Sequence, residues 1–127
     1  MTTPTERLKS IGWGAELLDT LAQDETVPVG LRTRAAAAAQ RYPTTSDLSL
    51  LIESNAEALP MSYAQTIEEA LNVFDDFRQT NGGSEGTRRL MRYTLRPFPA
   101  TNEALERASY FLGFPLTTWL ASEGGSK

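Results

Sequence analysis

The chain has 127 residues, of which 40% are hydrophobic and 22% charged, with a formal net charge of -4. That suits one ordinary domain and excludes strong bulk attraction to nucleic acid. It contains no histidine and no cysteine, so Ser-His-Asp and Cys-His catalysis are impossible within it, and zinc, haem and iron–sulfur sites lose their usual ligands.

What remains is carboxylate, arginine, tyrosine and hydroxyl chemistry, and the expectation is a non-enzymatic protein with no cofactor and no metal. No apolar run approaches the roughly 20 residues needed to cross a bilayer. The N-terminus lacks the basic-then-apolar pattern of a secretory signal, so a cytosolic setting without membrane contact is expected. Lysine stands only at Lys9 and Lys127. The other cations are arginines, which fits either a need for planar guanidiniums or a GC-rich genome.

In chain order, Thr3-Pro4-Thr5-Glu6 reads as a capping box with proline in the first turn. Leu8, Ile11, Ala15, Leu18, Leu21 and Ala22 follow at helical spacing and fade near Gln23. Pro28 opens a second helix with Leu31, Ala35, Ala38 and Tyr42 inward, ended by Pro43. Thr44, Thr45 and Ser46 cap a short helix expected over 47–58, with Leu48, Leu51 and Ile52 inward. After the break at Leu59-Pro60, Ser62 and Gln65 read as a further capping box, followed by Tyr63, Ile67, Ala70, Phe74 and Phe77 on one face. Asn81-Gly82-Gly83 is a turn signal. Ser84 caps a helix with Leu90, Met91, Thr94 and Leu95 inward, stopped at Pro97. Thr101 is expected to cap a last long helix carrying Ala104, Leu105, Ala108, Phe111 and Leu112 and closed at Gly113. A final turn would tuck Leu116, Trp119 and Leu120 onto the core, leaving 122–127 as a flexible tail.

A shift of 56 positions lays the first half on the second without gaps. Pro4 falls on Pro60, Ile11 on Ile67, Asp19 on Asp75, Arg32 on Arg88, Tyr42 on Phe98 and Pro43 on Pro99. Caps, stripes and breakers coincide together, which reads as an internal repeat. The fold expectation is all-α: a bundle of six to seven short helices in one domain over 1–127, built from two tandem three-helix units at 4–58 and 60–121, with no sheet. One unit alone would be too small to bury a good core.

The opening Met1-Thr2-Thr3-Pro4-Thr5-Glu6-Arg7, the segment Leu17-Leu18-Asp19-Thr20-Leu21, and then Leu31-Arg32 and Arg41-Tyr42-Pro43-Thr44 resemble a family of small uncharacterised proteobacterial proteins. Those typically begin Met-Thr-Met-Pro-x-Glu-Arg and carry a Leu-Arg-His-Tyr-Pro-Thr segment. The resemblance covers roughly the first 50 residues, and Arg41 stands where the family has histidine. It implies the helical unit and adds nothing on mechanism.

Two surfaces stand out. Trp13 follows Ile11 by two positions, about 200° around a helix, and so points away from the apolar stripe. Its repeat counterpart is Glu69, a surface type. Gly12 and Gly14 flank it at a cost of about 1 kcal/mol each in helix propensity. That pattern suggests a partner approaching the backbone at Gly12, Trp13 and Gly14, or else a core tryptophan covered by a later helix. Arg88, Arg92 and Arg96 recur at i, i+4 and i+8 with Arg89 beside them. They offer a site for an anion or an acidic partner, or pair internally with Glu68, Glu69, Asp75 and Asp76. Tyr93 is read as packed off this stripe. The acidic pairs themselves diverge by about 100° and are read as solvated. The segment 105–120 faintly resembles a helix-turn-helix but has no basic residue in its would-be reading segment.

The functional expectation is a protein–protein interaction module, a small adaptor or inhibitor of the mobile-element or phage accessory kind. Its partner would be another protein or a second copy of itself. The alternative is a nucleic-acid-associated regulator using the arginine face.

Overall fold

Thr3 starts the first helix as its spacing predicts. Its hydroxyl accepts from the Glu6 N–H at 3.1 Å, and the Glu6 carboxylate accepts from the Thr3 N–H at 2.9 Å, so two of the donors that a helix start leaves unmet are satisfied reciprocally. The computed structural model describes residues 3–54, 56, 58–107, 116 and 119–121. Among these every regular element is an α-helix, as the period-3.6 pattern requires: α1 (Pro4–Gln23), α2 (Val29–Arg41), α3 (Thr45–Glu53), α4 (Met61–Arg78), α5 (Glu85–Leu95) and the one-turn α6 (Glu103–Arg107).

The breakers act where expected and several caps do not. Tyr42 is extended ahead of Pro43 and ends α2. Thr44 and Asp47 form a second capping box for α3, which stops at Glu53 rather than reaching Ala58. Ser62 and Gln65 do not cap α4. Pro60, with φ fixed at -54°, takes the N-cap position without any side-chain hydrogen bond, and Ser62 lies inside the helix, its carbonyl accepting from the Thr66 hydroxyl at 2.9 Å. Ser84 caps α5 through the Thr87 N–H at 3.2 Å. Thr101 does not cap α6. Asn102 adopts φ 70°, a left-handed conformation that asparagine tolerates, and the Glu103 carboxylate accepts from the Ala100 N–H at 2.9 Å. The expected continuation through Ala108, Phe111, Leu112 and Gly113 and the tail 122–127 lie outside the described residues. Leu116, Trp119 and Leu120 are buried. Arg7 holds this last segment, donating to the Trp119 carbonyl at 2.8 Å with its guanidinium over the indole, while the indole N–H donates to Glu103 at 2.6 Å.

The described core is a single cluster drawn from both halves of the chain. α1 and α4 supply nearly half of it, because their apolar positions wrap widely around the helix. α2 buries only Leu31, Ala35 and Ala38, and its alanines let it lie close to both α1 and α4. Here the tandem reading is corrected. α4 and α5 begin close to where the 56-residue shift would put them, yet the halves do not form two equivalent trios. α1 packs extensively on α2, whereas the packing of α4 on α5 is slight, and α5 lies against α1 instead. The positions matching Ala35 and Ala38 are Met91 and Thr94, larger side chains that cannot repeat the close alanine contact.

Two polar locks set α5 on α1. At its start, Asp24 just past α1 accepts from the Ser84 N–H at 2.9 Å and the Thr87 hydroxyl at 2.8 Å with one oxygen. Its other oxygen accepts from the Thr26 N–H at 2.9 Å and hydroxyl at 2.6 Å. At the far end, the Phe98 N–H turns to the Leu95 carbonyl. The buried Ser10 hydroxyl then donates to the Thr94 carbonyl at 2.7 Å, meeting an acceptor that the broken last turn leaves over.

Candidate functional site

Trp13 sits on the outer side of α1 and is 39% exposed, against 1% for Trp119. Two steps from the buried Ile11, its side chain clears the core, as the helix period requires. Beside it a groove of about 400 Å³ runs between α1 and α3, with Lys9, Gly12, Trp13 and Glu16 on one wall and Thr45 and Ser49 on the other.

The two glycines next to Trp13 have different reasons. Gly14 is buried, and the close approach expected there is made by the chain itself. A methyl at Gly14 would run into the Tyr42 hydroxyl and lie 3.0 Å from Cε1 of Phe98. The Tyr42 hydroxyl donates to the Ile11 carbonyl at 2.7 Å in the interior, and burial pushes its ionisation well above the usual tyrosine range. Gly14 therefore belongs to the packing of α1 and not to an open surface. A methyl at Gly12 would lie 2.8 Å from Oγ1 of Thr45, a branched side chain stiff at χ1 that would have to shift, so α3 itself makes the close approach there.

The arginine stripe divides in a similar manner. Arg88 is committed internally: it donates to the Thr80 carbonyl at 2.7 Å and to the Gly82 carbonyl, and its guanidinium lies 4.7 Å from the centre of the Phe77 ring. It closes the turn between α4 and α5. Arg89 and Arg92 both lean on Glu85 of their own helix, at 4.0 and 3.3 Å, not on the acids of α4. Those acids face elsewhere. Asp76 pairs with Arg34 at 2.7 Å, Glu69 with Arg41 at 2.5 Å and Asp75 with Arg78 at 3.4 Å, while Glu68 accepts from the Asn102 N–H at 2.8 Å. No group of acids able to hold a metal ion occurs among the described residues. Tyr93 does not pack. It is 62% exposed and lines a shallow concavity of about 330 Å³ with Arg89, Arg92 and Arg96.

Sequence reasoning missed Asp24, Ser10 and the exposure of Tyr93. The Asp24-x-Thr26 spacing was a visible turn signal, since a short acid can fold back on the N–H two residues on. Nothing local pointed to Ser84 or Thr87 as its second set of donors. These hydrogen bonds, to Thr26 first and then Ser84, hold the Asp24 carboxyl far below the usual carboxylate range. No helix among the described residues is long and apolar enough to cross a membrane. No protein-family model matches the chain, and no curated protein or solved structure is found similar to it.

Proposed function

We propose that the protein is a non-enzymatic protein-interaction module, a small adaptor or inhibitor, whose docking surface is the groove between α1 and α3. The observation that carries this reading is the exposed indole of Trp13 on the rim of a concavity large enough to take a partner's side chain. Tryptophan gives a large, rigid contact and is enriched among the residues that dominate binding energy. Trp13→Ala should leave the melting temperature within about 2 °C of wild type, because exposed substitutions seldom cost more than about 0.5 kcal/mol. Affinity capture from the native host should lose its specific partner with the same variant. Unchanged capture by folded Trp13→Ala would contradict the reading.

A second reading, a nucleic-acid-associated regulator, is supported by Tyr93. An exposed ring among three guanidiniums offers a stacking face beside phosphate donors. It predicts binding to a single-stranded oligonucleotide with a log–log salt slope near -2 for about three neutralised phosphates, lost in Arg92→Glu. An oligonucleotide that is not retarded in a gel even at low salt would end it.

A further inference from the structure

The outer face of α5 gathers positive charge around a bare aromatic ring. Arg89, Tyr93 and Arg96 stand at i, i+4 and i+7, which sets them along one side of the helix, with Arg92 next to the ring. Together they line the concavity of about 330 Å³, a volume at the small end of ligand sites. Arg89 and Arg92 share the carboxylate of Glu85. Arg96 lies within electrostatic reach of Glu6, whose carboxylate already accepts from the Thr3 N–H. The acids of α4 are held by Arg34, Arg41, Arg78 and the Asn102 N–H. Three guanidiniums therefore meet two carboxylates on this face, in a chain whose formal net charge is -4.

The ring decides which anion suits that excess. A bare inorganic anion would use the guanidiniums and leave Tyr93 idle. The Tyr93 ring is 62% exposed and offers a flat face on which any base can stack. Guanidiniums take phosphate oxygens two at a time. A nucleotide carries both groups in one small molecule. The dimensions then separate one nucleotide from a strand. Arg89 and Arg96 are seven residues apart, about 10 Å along the axis, and one ring lies between them. A strand would stack one base here and lay its further phosphates against a chain of net negative charge, which repels them at low salt.

Resting on the second reading's assignment of this face to base and phosphate, we infer that its ligand is a single nucleotide, the base stacked on Tyr93 and the phosphates held by Arg89, Arg92 and Arg96. Isothermal titration calorimetry of the full chain at low salt tests it, with ADP, adenosine, inorganic pyrophosphate and an oligodeoxyadenylate strand as probes. ADP should bind at sub-millimolar concentration, about tenfold or more tighter than adenosine or pyrophosphate. The strand should bind no tighter per site than ADP. Tyr93→Ala should weaken ADP about tenfold and leave pyrophosphate unchanged, a split that a bare cation cluster would not give. Arg92→Glu should weaken both, and neither variant should move the melting temperature by more than about 2 °C. No binding of ADP up to about 10 mM overturns the inference. So does ADP binding that is indifferent to Tyr93→Ala, or a strand bound more than about tenfold tighter per site than ADP. If the strand binds and ADP does not, the nucleic-acid reading survives alone. If neither binds, both fail.

Discussion

Gly14→Ala should destabilise the fold by about 2 kcal/mol. Overpacking a filled interior costs up to about 3 kcal/mol, while the better helix propensity of alanine returns about 1 kcal/mol, so the clash wins. The cause is specific. The added methyl meets the Tyr42 hydroxyl, which its bond to the Ile11 carbonyl holds in place, and Phe98 lies just behind. Tyr42→Phe removes the obstructing oxygen. Combined with Gly14→Ala, it should cost less than the two single changes together, because the variants share one space. Chemical denaturation of the four proteins in the cycle measures this. Strict additivity would mean the methyl is accommodated elsewhere.

Asp24→Asn should cost a similar amount, about 2 kcal/mol, and the cost should depend on pH. A charged acceptor with four donors is worth more than an amide, whose NH2 end would confront the N–H or hydroxyl of Ser84 and Thr87. The Asp24 carboxyl ionises more readily in the folded chain than in the unfolded one. Its stabilisation is therefore fully present above the unfolded carboxylate value of about 3.9 and is lost as pH falls below it toward the depressed folded value. The stability difference between wild type and Asp24→Asn should be flat from about pH 7 to about pH 5 and shrink below about pH 4. A difference that stays constant down to about pH 3 would show that the charge at Asp24 is not what joins α1 to α5.

What the sequence made legible was local. Thr3 with Glu6, Thr44 with Asp47, and Ser84 each cap a helix because capping needs only residues within one turn. Pro43 and Pro97 end helices for equally local reasons. The outward turn of Trp13 followed from its distance to Ile11 alone. Pairing of helices was not legible, because it depends on residues far apart in the chain. The 56-residue shift aligned the elements, but Asp24, Ser10 and the alanines of α2 decide which helix lies on which. Flanking glycines announce a close approach without saying what approaches. At Gly14 it is Tyr42, 28 positions away. Spacing likewise offers the arginine stripe the acids of α4 as internal partners, whereas Arg88 found carbonyls of a turn, Arg89 and Arg92 found Glu85 of their own helix, and Glu69 and Asp76 of α4 found α2.

One tryptophan of this chain faces outward while the other is buried in the fold. Thermal unfolding of Trp13→Ala and Trp119→Ala, recorded side by side, tests it most directly. Removing the buried Trp119 side chain should cost about 3–5 kcal/mol and lower the melting temperature by more than about 10 °C, while Trp13→Ala stays within about 2 °C of wild type. A comparable drop for Trp13→Ala would place its indole in the core and contradict the account.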